Sequence, residues 1–180
     1  MKLTWFAETT VRVHIGGQIL VADVAGAPGF IDRQELVSGA DRTFGLATED
    51  AGLVTIDPAG WRPRTSPKFL EDTSADETVR VQRIGASAIL IDAIGEPPLV
   101  LIAGADAPRF GRWADDAVVV LFGTGEAIVA TGIALLDASR PKLIALAANE
   151  PAIDLAIETL RDHLGGAALV ALEPALALEV

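Results

Sequence analysis

The amino-acid sequence predicts a single α/β domain in which two β-sheets are flanked by helices, and three observations carry that expectation. Near the start, Val11, Val13 and Ile15 alternate with Arg12, His14 and Gly16, the period of a half-buried strand. The middle of the chain is a succession of short apolar runs punctuated by Gly and Pro, as at Gly95-Glu96-Pro97-Pro98 and Ala107-Pro108. The last third alternates strand-like and helix-like segments, so that an early meander of strands gives way to strand-helix-strand.

Taken in order, Gly16-Gly17 supplies the permissive backbone of a tight turn, and residues 19–24 return as a more fully buried strand. Gly26-Ala27-Pro28-Gly29 ends this hairpin, and residues 31–45 read as a short helical turn and the approach to the next strand. Residues 57–76 are rich in Pro, Arg, Ser, Thr and Asp, a long loop of the sort often given over to function. Strands are expected over residues 79–84, 86–93, 99–103 and 117–122, the last nearly all apolar, as in a strand covered on both faces. Gly123-Thr124-Gly125-Glu126 leads into a helix to about Asp137, with Val129, Ile133 and Leu136 on one face, and Pro141 prevents its continuation. Residues 142–147 form another buried strand. Asn149 is the expected N-cap of a second helix, with Ile153, Ile157, Leu160 and Leu164 at helical spacing and Gly165-Gly166 as its stop. Residues 168–172 and 175–180, separated by Glu173-Pro174, close the chain as two short strands.

The 180 residues, 51% of them apolar, suffice for one substantial core, and one domain spanning 1–180 is expected. A mean hydropathy of +0.41 is high for this size and raises the expectation of a homo-oligomer that buries apolar surface. A net charge of −11 repels polyanions, so neither nucleic acid nor an anionic membrane is an expected partner. The absence of cysteine excludes disulfides, thiolate zinc sites and cysteine nucleophiles. Met1-Lys2-Leu3-Thr4-Trp5 lacks the apolar core of a signal peptide, and no apolar run approaches the roughly 18 residues of a membrane span, so a cytoplasmic protein is expected.

Several stretches resemble a known family. Met1 to Thr10 is similar to an opening M-K-L-T-W-L-G-H-S, with Ala7-Glu8 in place of Gly-His. Residues 48–54 fall where a T-H-x-H-x-D-H pattern would follow an apolar strand: Thr48 matches the threonine, while Glu49, Ala51, Leu53 and Val54 replace His, His, Asp and His. Ile102-Ala103-Gly104-Ala105-Asp106 resembles H-A-G-D-T, which makes Asp106 the counterpart of a bridging aspartate. Residues 140–149 resemble K-P-K-x-V-I-P-I-H-Y with Ala148 in place of the last histidine, and residues 170–178 resemble V-L-E-P-G-E-x-x-x-L. These are motifs of the metallo-β-lactamase-fold hydrolases, in particular their small cytoplasmic branch. The resemblance implies a four-layer αββα sandwich, here reduced in size, whose dinuclear metal ligands are replaced. It also implies a structural role for Asp23, which matches the aspartate of the family's I-D-P strand end.

The chemistry left to such a chain is limited. A dinuclear site takes several imidazoles and a bridging carboxylate, yet the chain has two histidines, His14 on a strand's polar face and His163 in the last turn of a helix. No metal and no cofactor are expected, and Leu53 and Val54 are expected to fill the former metal cavity. A carboxylate cluster of Glu8, Glu49, Asp50 and Asp57, with Asp23 and Asp106, is the competing idea, suited to Mg²⁺ or Ca²⁺ or to acid-base work by a carboxylate pair. Solvated surface carboxylates are its bland counterpart. Ser38, Ser66, Ser74, Ser87 and Ser139 lie in no nucleophile-elbow pattern, and Gly123-Thr124-Gly125 lacks the lysine of a phosphate loop. Trp61, Arg62 and Arg64, with Lys68, are the one local concentration of positive charge, fit for a small anionic ligand or a protein partner's acidic surface, or merely paired with acidic neighbours. The leading expectation is a non-catalytic binding or interaction module. The alternative is a hydrolase built on carboxylates in the vestigial pocket, and a purely structural subunit would lack a pocket near the Trp61 loop.

Overall fold

The computed structural model describes residues 1–46, 52–64 and 78–180. Among these residues the chain forms two mixed sheets and three α-helices, an α/β architecture. The first sheet holds β1 (Lys2–Ala7), β2 (Thr10–Ile15), β3 (Gln18–Ala22), β4 (Arg42–Phe44) and, from the far end of the chain, β12 (Ala177–Glu179), in the order β12-β1-β2-β3-β4. The second holds β5 (Val54–Thr55), β6 (Val79–Gly85), β7 (Ala88–Ala93), β8 (Leu99–Ala103), β9 (Val118–Phe122), β10 (Leu143–Ala147) and β11 (Ala168–Ala171), in the order β11-β10-β9-β8-β7-β6-β5. Helix α1 (Arg33–Leu36) precedes β4, α2 (Gly125–Ala138) joins β9 to β10, and α3 (Glu150–Leu160) joins β10 to β11.

The apolar run at 117–122, expected to be covered on both faces, is so covered in β9, and its neighbours share the arrangement. In β7 to β10 alternate residues serve two separate cores: Ile89, Leu101, Val120 and Ala145 pack with Leu3, Val13 and Leu20 of the first sheet. Their neighbours Leu90, Val100, Val119 and Ile144 pack beneath α2 and α3. A strand whose two faces both meet apolar layers has no use for polar alternation, whereas β2, with Arg12 and His14 on its outer face, keeps it.

That outer face is covered differently. Val21, Ala27 and Leu36 form a small cluster there under residues 24–40, and α1 is a single turn rather than a full helical layer. Arg12 secures it, its Nη1 donating to Leu36 O at 2.8 Å and its Nη2 to Ser38 O at 2.8 Å. Asp32 caps α1 by accepting from Gln34 N at 2.8 Å.

Four readings are corrected by the packing. The opening Met1 to Thr10 contains a strand in its own right, β1, paired with both β2 and β12, so the hairpin is the inner part of a meander. On α2 the buried face is Ile128, Thr131, Gly132, Leu135 and the expected Leu136, with Val129 and Ile133 only partly covered. On α3 it is Ala152, Ala156 and Leu160, and Ile157 remains 40% exposed. The cause is close helix contact, since a Cβ at Gly132 would lie 2.7 Å from Leu160 Cδ1. Small residues occupy such a seam and push the larger ones to its flanks. Val54 does not fill a cavity: it is 66% exposed on the edge strand β5, while Leu53 is buried in the core between the sheets.

Candidate functional site

Two hollows gather the residues singled out by the sequence, and they are built on different principles. The first lies where β8, β9 and β10, all parallel, end side by side, the position at which parallel sheets commonly hold ligands. It has a volume of about 530 Å³ and is walled by the ends of those strands, by Gly104 and by the β1–β2 turn with Trp5 and Glu8. Gly123, at φ 127°, turns the chain from β9 into α2 in a backbone conformation that favours glycine, and it lies against Gly104 at the end of β8. Helices α2 and α3 begin here, capped by Thr124 and Asn149, which accept from Ala127 N at 3.4 Å and Ala152 N at 3.1 Å. Glu8, in the left-handed region at φ 47°, shapes the opposite wall, and its carbonyl accepts the Trp5 indole N–H at 3.0 Å.

Chemically this hollow is poor. Among the described residues lining it, Glu8 is the single titratable side chain, and Ala148 presents a methyl group. Asp23 lies outside its walls and acts structurally: at φ 49°, its Oδ1 accepts Leu46 N at 2.9 Å and its carbonyl accepts the Thr10 hydroxyl at 3.0 Å. Asp106 is exposed beyond β8 and lines neither hollow. Glu49, Asp50 and Ala51 lie outside the described residues, as does Lys68. Among the described residues no three His, Asp or Glu side chains group closely enough to hold a metal.

The second hollow, about 850 Å³, lies on the helix side of the seven-stranded sheet and combines two stretches far apart in sequence. One is residues 57–63. Asp57 starts it by accepting Ala59 N at 2.9 Å, and a short 3-10 turn at Pro58–Gly60 delivers Trp61. The other is residues 109–116, where the 3-10 turn Arg112–Ala114 delivers Trp113, whose indole N–H donates to Arg109 O at 3.1 Å. Trp61 and Trp113 are anchored in the core beneath the helices, and Phe110 stacks on Trp113 with ring centroids 6.1 Å apart and 22° between planes.

Three guanidinium groups and three carboxylates rim this aromatic floor, and they are not equally engaged. Arg62 Nη1 donates to Ala59 O at 3.1 Å and Trp61 O at 2.6 Å. Asp115 Oδ1 accepts Arg140 N at 2.9 Å, and its Oδ2 lies 3.7 Å from Arg112 Nε, a loose pair with the Arg112 side chain 96% exposed. The Arg109 side chain makes no hydrogen bond or ion pair among the described residues. The rim carries three positive and three negative charges, and Asp116, like Arg109, makes no side-chain hydrogen bond or ion pair among the described residues.

Of the residues proposed for ligand binding, Asp57, Trp61 and Arg62 meet in this cleft, Glu8 lies in the other, and Arg64 belongs to neither. Arg64 is used inside the protein: its Nε pairs with the buried Asp92 Oδ2 at 2.6 Å, and its Nη2 donates to Asp92 O at 2.8 Å and to Thr78 O at 3.1 Å. Sequence reasoning missed Arg109, Phe110, Arg112 and Trp113. The run Arg109-Phe110-Gly111-Arg112-Trp113 interleaves arginine with aromatics just as Trp61-Arg62-Pro63-Arg64 does, and that repeated texture was the available signal.

The two histidines stand apart from both hollows. His163 is exposed in the 3-10 turn after α3. His14, on the outer face of the first sheet, has its pKa lowered by partial burial and by the neighbouring cations Arg12 and Lys2. Among the described residues no helix is long and apolar enough to cross a membrane. Compared with protein-family models, with curated proteins and with solved structures, the chain matches none, so a functional reading rests on the geometry of its two hollows.

Proposed function

We propose that this chain is a metal-free protein of the metallo-β-lactamase type, a reduced αββα sandwich, which serves as a non-catalytic binding module for a small anionic ligand. The observation that carries the reading is the cleft around Trp61 and Trp113, with Arg62, Arg109 and Arg112 on its rim. Guanidinium groups match carboxylate and phosphate oxygens in a bidentate way, and an aromatic floor favours a flat, partly apolar body attached to that anion. A purely structural subunit would have no reason to hold such a cleft beside the Trp61 loop. The replacement of imidazoles at Glu8 and Ala148, both in the strand-end hollow, supports loss of the metal chemistry. The carboxylate hydrolase draws no support from Glu8, Asp57 and Asp106, which lie in one hollow, in the other, and in neither.

Tryptophan fluorescence titration with phenyl phosphate and with inorganic phosphate tests this. Saturable quenching is expected, tighter for phenyl phosphate, and Arg109→Ala should weaken it about tenfold, as loss of one charge-assisted hydrogen bond implies. No saturable response to either anion at millimolar concentration would sink the reading.

A further inference from the structure

We propose that two copies of this chain associate through antiparallel pairing of β11 with β11 of the second copy, continuing the seven-stranded sheet across a twofold axis. The inference goes beyond the ligand reading and does not depend on it. Among the described residues strand β11 is a terminal strand, paired in parallel with β10 alone. Ala168 N and Leu172 N donate inward to Lys142 O at 3.0 Å and Leu146 O at 2.8 Å. Strand alternation therefore turns the N–H and C=O groups of Leu169 and Ala171 outward, a row of donors and acceptors ready for another strand.

Nothing on this edge discourages pairing. From Leu164 to Leu172 the sequence is Leu-Gly-Gly-Ala-Ala-Leu-Val-Ala-Leu, without a charge or a proline, and β11 keeps an unbroken register with β10. The other edges are blunted: β5 has two residues, β4 has three and carries Arg42, and β12 carries Glu179. Charge selects the occupant. In a chain of net charge −11, a neutral edge is where two copies approach with least repulsion, and antiparallel pairing of identical strands is self-complementary about a twofold axis.

Helix α3 supplies the apolar flank. Its Leu155 points toward α2, with Cδ2 3.0 Å from the Cβ position of Gly125, and Ala152, Ala156 and Leu160 point inward. The helical period therefore turns Ile153 and Ile157 away from α2, to the side of β11. Pairing about a twofold axis perpendicular to the sheet keeps both copies of α3 on one face, so these isoleucines meet their counterparts beside the partly exposed Leu169.

Sedimentation velocity and light scattering on the whole chain test the proposal. The expected species has twice the 18.7 kDa chain mass. Ile157→Lys, on an exposed helical position, and Ala171→Pro, which removes only an outward N–H, should each give a folded monomer by circular dichroism. A wild-type chain that stays monomeric at micromolar concentration, or a dimer that survives both substitutions, would overturn the assignment. Should Ala171→Pro fail to fold, Ile157→Lys alone decides.

Discussion

The strand-end hollow and the tryptophan cleft differ in what makes them. The first is a product of backbone: three parallel strands end together, glycines at positive φ turn the chain there, and two capped helices start beside them, with a single carboxylate among its described walls. The second is a product of side chains, two buried tryptophans and three arginines carried on irregular segments with little regular structure to position them. A sheet can thus form a hollow by its backbone alone while arginines and aromatic side chains gather elsewhere. The strand-end hollow lies at the ends of β8, β9 and β10, and the tryptophan cleft lies on the helix side of the seven-stranded sheet.

The contrast can be broken by substitutions that separate architecture from recognition. The largest effect is expected for Arg64→Met, which strands the Asp92 carboxylate in the interior and should cost about 3–5 kcal/mol in urea denaturation. Its affinity for phenyl phosphate, measured well below the unfolding transition, should be unchanged; a fall matching that of Arg109→Ala would move Arg64 into the cleft. Asn149→Ala comes next, at about 1 kcal/mol for a lost helix cap, with anion binding intact. If that variant loses anion binding instead, the strand-end hollow is the ligand site and the assignment of roles is reversed.

The smallest effect belongs to His14, outside both hollows. Its folded-state pKa lies below the ordinary 6.5, so on acidification the unfolded chain takes up the proton first. This contribution to stability is neutral above about pH 6.5 and turns unfavourable as pH falls toward the lowered value. His14→Gln should flatten that part of a plot of melting temperature against pH, while anion affinity stays as in the wild type. A change in anion affinity would tie the outer face of the first sheet to ligand binding.

Much of the fold was legible because the strongest signals are local. The hairpin glycines, the doubly apolar strands, the Thr124 and Asn149 caps and the Gly165 stop each depend on a few neighbouring residues. The helix faces were less legible. Counting large apolar residues at helical spacing found the buried Leu136 and Leu160 but also selected Ile133 and Ile157, whereas the α2–α3 seam relies on Gly132, Ala152 and Ala156, small enough to let the helices close. The site was half legible: Trp61 and Arg62 stood out as a basic, aromatic patch, but which arginine was already engaged could not be read from adjacency. Arg62 and Arg64 are two residues apart, yet one rims a cleft and the other reaches Asp92.

The sequence by itself determined the α/β class, the order of nearly every element, the acidic balance and the scarcity of imidazole, because composition and short-range periodicity carry all of these. Only the tertiary structure decided that residues 57–63 and 109–116 share one cleft, that Val54 faces outward, and that β11 is a terminal strand of its sheet among the described residues. Those outcomes depend on contacts between segments distant along the chain, and they are settled by which faces pack rather than by any local preference of the residues involved.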